Sequence, residues 1–193
     1  MISRKYIIIS FLVLVFSNSF NSLLSQEKEA GEYIQIADRF LKEKNYREAL
    51  VNYKQALIKN TGSIKANLGF AKSSFFLGSK LDAESGFKRT LELDSKNKEA
   101  IAGLAEIQAD LGKFKEAEEL LENALKEEPY NPDLLLARAY VLLKAGKNKL
   151  ALIKLEEVKK KCTEKKQTLF YTSNYSIGVN LFFKLNQQLA KLM

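Results

Sequence analysis

The stretch that decides the fold runs from Lys98 to Asn131 and reads KEAIAGLAEIQADLGKFKEAEELLENALKEEPYN. Apolar residues recur at helical spacing on both sides of Gly112, over residues 101–107 and again over residues 117–125. Pro129 closes the second run, because proline disfavours helical geometry at the residue before it. The stretch therefore predicts two amphipathic helices joined by a tight turn.

The same pattern recurs every 34 residues from Ala30 onward without an insertion. Small residues, turn residues and large apolar residues each form a series in the same register. The series are Ala37, Ala71, Ala105 and Ala139; Lys44, Gly78, Gly112 and Gly146; Ala49, Ala83, Ala117 and Ala151; and Tyr53, Phe87, Leu121 and Leu155. Small residues let helices cross closely, whereas large ones fill a core. The periodicity indicates a solenoid of helical hairpins.

With these series the chain resembles the tetratricopeptide repeat family, in an array over residues 26–165 with repeats 30–63, 64–97, 98–131 and 132–165. The resemblance implies an all-α fold, a right-handed superhelical solenoid of antiparallel helix pairs. Helix starts are predicted at Ser63, Asn97 and Asn131, with Pro132 at the first helical position. Residues 166–193 are predicted to cap the array, as one helix or as a degenerate fifth hairpin.

The resemblance also implies a concave groove, lined by the first helix of each pair, that holds a peptide or a partner helix. Carried over by register, its contact residues are Asp38, Lys65, Lys72, Phe75, Phe76, Glu99, Glu106, Asp110 and Tyr140. One hypothesis has a partner docked by its apolar groups on Phe75, Phe76 and Tyr140, with a basic part against the acidic third repeat. The alternative is that both phenylalanines belong to the interhelix core and that the charges form a solvated face.

The same groove positions argue against one class of ligand. Some family members clamp a C-terminal carboxylate with a set of lysine, asparagine and arginine donors. Asp38, Glu106 and Leu136 occupy places where that clamp needs donors. A receptor for chaperone tails is therefore not expected.

Composition excludes several kinds of catalysis. The chain has no histidine and one cysteine, Cys162, which removes His-based acid–base chemistry and every Cys/His zinc pattern. No nucleophile, metal set or phosphate loop accompanies surface carboxylates such as Glu118 and Glu119. The sequence predicts a protein that is not an enzyme, with no catalytic residues, no metal and no cofactor.

Residues 1–25 are expected to lie outside the fold. Arg4 and Lys5 precede an apolar run over residues 6–16, which has the length of a signal-peptide core and is shorter than the roughly 20 residues of a membrane span. Cleavage after Ser19 or after Ser25 fits the small residues there, and both sites stay open. The competing interpretation keeps the segment as a membrane anchor. Either way, the chain is expected to be exported, in the periplasm or cell envelope.

Charge is unevenly distributed along the chain, whose formal net charge is +8. Residues 26–143 carry a net charge of −2 and residues 144–193 a net charge of +8. A basic patch stands out in the second part: Lys159, Lys160, Lys161, Lys165 and Lys166. It predicts contact with an anionic membrane surface or an acidic protein face, and export makes nucleic acid the least expected partner. The alternative is a lysine-rich helix end that complements the helix dipole.

Residues 167–193 carry apolar side chains on more than one helical face, which suggests docking or self-association. Two functions follow from the whole sequence. The favoured one is an exported scaffold that binds proteins through its groove. The alternative is a membrane-anchored accessory factor for cell-envelope assembly or secretion, with the basic patch at the membrane surface.

Overall fold

The computed structural model describes residues 4–154 and residue 157, with side chains described from residue 23 onward. Seven helices with defined ends lie in this part of the chain: α1 (Arg4–Lys42), α2 (Tyr46–Lys59), α3 (Ile64–Phe76), α4 (Lys80–Leu93), α5 (Lys98–Asp110), α6 (Phe114–Glu127) and α7 (Pro132–Lys144). Residues 148–154 are also helical and follow α7 after a turn. The described residues contain no strand, so they are all-α as the sequence predicts.

The helices form antiparallel pairs at the predicted period. Helices α3, α5 and α7 begin at Ile64, Lys98 and Pro132, and α2, α4 and α6 begin at Tyr46, Lys80 and Phe114. Consecutive starts in each set are therefore 34 residues apart, the spacing of the sequence series. Each helix packs against its partner and against the next pair, so the pairs stack into a solenoid.

The predicted helix starts are confirmed by their caps. The side chains of Ser63, Asn97 and Asn131 each accept a hydrogen bond from a backbone N–H in the first turn of the helix that follows. Pro132 occupies the first turn of α7, where it sacrifices no helical hydrogen bond. These polar side chains satisfy donors that a helix start leaves without a partner.

The predicted turns are confirmed as well. Gly78, Gly112 and Gly146 have φ values of 80°, 77° and 76°, and Lys44 has a φ of 61° at the same place in the first pair. This left-handed geometry suits glycine, which has no Cβ to clash. In the third pair the N–H of Lys113 donates to the carbonyl of Gln108 over 2.8 Å, which closes the turn. The four turns share one backbone path although only three carry glycine.

Neighbouring pairs lock together through a large residue and a small one. The ring of Tyr53 lies against Gly69, and the ring of Phe87 lies against Gly103, so a Cβ at either glycine would overlap a ring. One repeat later the corresponding residues are Leu121 and Ala137, which are buried in one cluster. An aromatic ring is thus paired with glycine, and the smaller leucine is paired with the larger alanine, so each contact fills a similar space.

Helix α1 is longer than the repeat that it begins. It runs without a break from Arg4 to Lys42. Among the side chains described from residue 23 onward, the first to pack on the array are Glu29, which forms an ion pair with Lys59 at 2.6 Å, and Ala30, which is buried. Residues 23–28 are exposed. Among the helices that the structure describes, none is long and apolar enough to cross a membrane.

Several predictions concern residues beyond the described part of the chain. The basic patch at residues 159–161, 165 and 166 lies outside the described residues, as do Cys162 and the capping segment 166–193. The second helix of the fourth pair is described only for residues 148–154 and 157.

Candidate partner-binding groove

The first helices of successive pairs lie side by side and form one concave face. Helix α1 packs beside α3, α3 beside α5, and α5 beside α7. Positions 34 residues apart therefore line up in rows across this face. The central row consists of Asp38, Lys72, Glu106 and Tyr140. All four were predicted as groove residues, and they differ sharply in exposure.

The concave face is open over α1 and α3. Leu41, Leu68 and Phe75 are half-buried there, and Lys42 and Lys65 are exposed. We call these five residues the open half of the groove. Lys65 keeps 65% of its side chain exposed at the edge. The open half therefore combines an apolar floor with positive charge.

Asp38 ties the floor of the open half to the core. Its Oδ1 accepts a hydrogen bond from the hydroxyl of Tyr53 at 2.7 Å, and its Oδ2 pairs with Nζ of Lys65 at 2.6 Å. Burial, and then the hydrogen bond to Asp38, raises the pKa of Tyr53, so its hydroxyl stays a neutral donor. Asp38 is thus satisfied within the chain and positions Lys65 at the groove edge.

The two predicted phenylalanines are partly structural. Phe76 stacks on Tyr46 with ring centroids 4.4 Å apart, and Phe75 meets Phe76 edge-on at 5.7 Å. Both also pack against the core that contains Phe87. Both nevertheless keep partial exposure. The alternative of an interhelix core role therefore describes Phe76 well, whereas Phe75 reaches the groove floor.

The predicted charges of the second and third repeats pair with one another. Lys72 of α3 forms an ion pair with Glu99 of α5. Asp110 accepts hydrogen bonds from the Tyr140 hydroxyl and from Nζ of Lys144, both at 2.7 Å. Burial alone would raise the pKa of Asp110, but these bonds and the charge of Lys144 hold it below its ordinary value. The acidic third repeat is therefore largely neutralised by the chain itself.

Asp133, at the start of α7, shows the opposite shift. Burial, reinforced by the negative charge of Glu99, raises the pKa of Asp133 against a smaller effect of Lys72. On the same face, the pKa of Asp110 is therefore lowered and the pKa of Asp133 is raised. The difference follows from donors: Asp110 has a tyrosine and lysines, and Asp133 has a carboxylate as its neighbour.

The face is closed over α5 and α7. Glu106 is 1% exposed and Tyr140 is 8% exposed, and Ala102, Ala109 and Leu136 are buried beside them. We call these five residues the closed half of the groove. The sequence interpretation of Glu106 and Tyr140 as accessible contacts needs correction, because burial keeps both from an incoming partner. The other predicted contact residues keep at least partial exposure.

Solved structures similar to this one are built from the same repeat. The TPR domain of Arabidopsis OM64 is 21% identical, with a TM-score of 0.57, over 60% of this chain and 96% of that domain. A tetratricopeptide repeat protein of Parabacteroides merdae is 25% identical, with a TM-score of 0.60, over 66% of this chain and 50% of that one. The second TPR domain of human RPAP3, solved with the HSP70 peptide SGPTIEEVD, is 20% identical, with a TM-score of 0.54, over 62% of this chain and 97% of that domain. No curated protein matches the sequence.

The sequence model of the tetratricopeptide repeat family matches residues 81–123 and 108–161. The chain is a tetratricopeptide repeat protein. The predicted superhelical solenoid of antiparallel helix pairs is confirmed. Tetratricopeptide repeat arrays generally serve as scaffolds for protein–protein interaction rather than as catalysts.

Sequence reasoning missed one surface of this tetratricopeptide repeat protein. A cleft of about 480 Å³ lies between α2, α3 and α4, away from the concave face, with Leu57, Phe70 and Leu81 in its lining. Leu81 is 75% exposed. The residues one or two repeats away from Leu81 are basic, namely Arg47, Lys115 and Lys149. The replacement of a basic residue by leucine at this position is the feature of the sequence that could have indicated the cleft.

Proposed function

We propose that this tetratricopeptide repeat protein acts by binding alone, and that the open half of its groove holds a peptide or helix of a protein partner. The observation that carries the proposal is the contrast in burial along the concave face. Leu41, Leu68 and Phe75 keep partial exposure on adjacent helices, where a solvated surface would be polar. Such a row of apolar positions suits the side chains of one extended or helical segment.

The charges of the open half favour a particular partner. Lys42 and Lys65 are exposed at its edge, whereas Asp110 of the third repeat is occupied by Tyr140 and Lys144. The proposed segment therefore carries apolar anchors next to acidic residues. A basic segment, which the acidic residues of the third repeat first suggested, would find few acidic groups that are not already engaged.

Site-specific photocrosslinking in the native cell tests the groove. A photoreactive amino acid at Leu68 should give a discrete protein adduct, whereas the same group at Glu119, an exposed position of α6, should not. Adding Lys65→Glu should lower the adduct yield from position 68 by about tenfold, because it reverses charge at the groove edge.

Lys96→Glu is the matched control for Lys65→Glu. It breaks an exposed ion pair to Glu127 at 2.8 Å, as Lys65→Glu breaks the pair to Asp38 at 2.6 Å, but it lies outside the groove. Exposed pairs contribute no more than about 1 kcal/mol, so both variants should fold. Equal adduct yields from positions 68 and 119, or equal losses in the two lysine variants, would exclude the groove as the binding surface.

We further propose that the protein is exported to the cell envelope. The packing supports this, because among the side chains described from residue 23 onward the first to pack on the array are Glu29 and Ala30, after both proposed cleavage sites. Mass spectrometry of the mature N-terminus tests the proposal. A terminus just after Ser19 or Ser25 is expected, whereas an intact N-terminus would favour the anchored accessory factor, with the basic patch at residues 159–166 resting on the membrane.

A further inference from the structure

The cleft between α2, α3 and α4 is larger than the corresponding cleft one repeat later. Its volume is about 480 Å³, whereas the cleft between α5, α6 and α7 has a volume of about 260 Å³. Leu120 lines the smaller cleft, and the same register position of the larger cleft is Gly86. A Cβ at Gly86 would lie 2.8 Å from a ring carbon of Phe70, so this ring lies directly on the glycine. The larger cleft is therefore left unfilled, with an aromatic ring as its floor.

Apolar side chains are exposed on both walls of this cleft. Leu81 projects from α4, and Ile58 of α2 is 71% exposed. Val51 is exposed as well, and Val51 and Ile58 lie one helical turn to either side of Lys54 on the same face of α2. The counterpart of Ile58 on α4 is Glu92, as a solvated surface requires. Single exposed apolar residues are ordinary, whereas three of them around one cleft mark a contact surface.

Positive charge is in excess around the cleft. Nζ of Lys54 lies over the aromatic floor, 5.7 Å from the centroid of the ring. Lys88 and Arg89 line the α4 side, together with two carboxylates, Glu84 and Glu92. Glu84 pairs with Lys88 at 2.6 Å and Glu92 pairs with Arg89 at 2.7 Å. Since both carboxylates are already paired, the cleft favours a partner with acidic groups.

The cleft has the shape of a trough between two helices. Helices α2 and α4 both pack against α3, which forms the floor. Val51 and Ile58 are seven residues apart, which is about 10 Å along α2 and two turns of any helix that lies beside it. Side chains at i, i+3 or i+4, and i+7 of such a helix would follow the trough. A cavity of ~150 Å³ accepts a benzene ring, so the volume admits more than one large apolar side chain.

We propose that this cleft binds an amphipathic helix of a protein partner, with the apolar face of that helix in the trough and acidic residues at its flanks. The site lies away from the concave face and is separate from the groove over α1 and α3. Helix α3 serves both surfaces, since Leu68 and Phe75 belong to the groove and Phe70 to the cleft. The first two repeats thus hold two different segments at once.

Site-specific photocrosslinking at Leu81 in the native cell tests the cleft. A discrete adduct with another protein is expected. Ser85 lines the cleft and is exposed, so Ser85→Trp should fill the trough and lower the adduct yield by at least about tenfold. Glu119→Trp is the matched control, because it places the same side chain at the same exposed position one repeat later, and it should leave the yield unchanged. Lys54→Glu should lower the yield by about fivefold through charge, without changing the volume of the cleft.

The crosslinked segment provides a defined probe for a second measurement. Mass spectrometry should identify a segment with apolar residues at helical spacing and with acidic residues between them. As a synthetic peptide, this segment should bind the purified full-length chain and gain helix on binding. Its Kd should rise at least about tenfold with Ser85→Trp and stay unchanged with Lys65→Glu, which alters the groove.

Several results would overturn the proposal. These are the absence of an adduct at Leu81, an adduct between two copies of this chain, a basic crosslinked segment, and equal yields in Ser85→Trp and Glu119→Trp. Lys54→Glu keeps the test decisive if the tryptophan at Ser85 disturbs the fold, since an unchanged yield in that variant would also count against the cleft. Crosslinking at Leu68 reports on the groove alone, so failure of either proposal leaves the other standing.

Discussion

At the scale of single residues, the pKa values of Asp110 and Asp133 are shifted in opposite directions although both lie on the same face. Asp110 has a lowered pKa, because donors from Tyr140 and Lys144 outweigh its burial. Its contribution to stability is present above the ordinary carboxyl pKa of 3.8 and is lost as the pH falls through its folded value. Asp133 has a raised pKa, so its contribution is present below 3.8 and is lost as the pH rises through its folded value.

We therefore expect the two aspartates to respond oppositely to neutralisation. At neutral pH, Asp110→Asn should lower the free energy of unfolding by about 1–2 kcal/mol, because it weakens charge-assisted hydrogen bonds. Asp133→Asn should raise the free energy of unfolding by a few tenths to about 1 kcal/mol, because it removes a poorly solvated charge. Urea unfolding at neutral pH and below pH 3.8 measures both effects, which should shrink in acid. Equal effects of the two substitutions at neutral pH would contradict the assignment.

Lys44 is a second site where one residue departs from its series. It adopts a φ of 61° where Gly78, Gly112 and Gly146 stand in later repeats. A side chain in this conformation costs roughly 1 kcal/mol or more. Lys44→Gly should raise stability in thermal unfolding by about 0.5 kcal/mol, since the extra freedom of the unfolded chain offsets part of the gain. Gly112→Ala is the matched reverse change and should lower the stability of the protein. If Lys44→Gly also lowers it, backbone strain at Lys44 does not account for the difference between the turns.

At the scale of helices, the contact between repeats predicts a compensated pair. Gly103→Ala places a Cβ against the ring of Phe87 and should cost about 1–3 kcal/mol. Adding Phe87→Leu should recover most of that loss, because Leu121 with Ala137 already forms this combination one repeat later. A double-mutant cycle from chemical denaturation measures the coupling.

Gly31→Ala serves as the control for the repeat contact. Gly31 lies within α1, and a Cβ there would meet nothing within 4 Å. The substitution should therefore stabilise the protein by up to about 1 kcal/mol through helix propensity alone. Additive effects of Gly103→Ala and Phe87→Leu would show that the ring and the glycine do not depend on each other.

At the scale of the molecule, the sequence predicts what is local and repeated. The starts at Ser63, Asn97 and Asn131 and the turns at the three glycines depend on residues within a few positions, so periodicity suffices to place them. The burial of Tyr140 together with Ala102 and Ala109 depends on the packing of α7 against α5, which register within a repeat does not encode. The stack of Phe76 on Tyr46 likewise joins side chains from different helix pairs. Of the predicted groove residues, Lys65 is exposed and Phe75 is half-buried, whereas Glu106 and Tyr140 are buried.

The boundary of the array gives a prediction for the whole molecule. Helix α1 runs from Arg4, and among its side chains described from residue 23 onward the contacts begin at Glu29 and Ala30 and continue with the buried Ile34. A chain that starts at Gln26 should therefore unfold at the same temperature as the full chain. A chain that starts at Gln35 should lose protection of the α2 amides from hydrogen exchange, because α2 then keeps only part of its partner. Loss of α2 protection already in the chain starting at Gln26 would mean that residues 1–25 pack on the array, which would count against a cleaved leader. Intact protection in the chain starting at Gln35 would instead place the stabilising contacts of α2 on α3 alone.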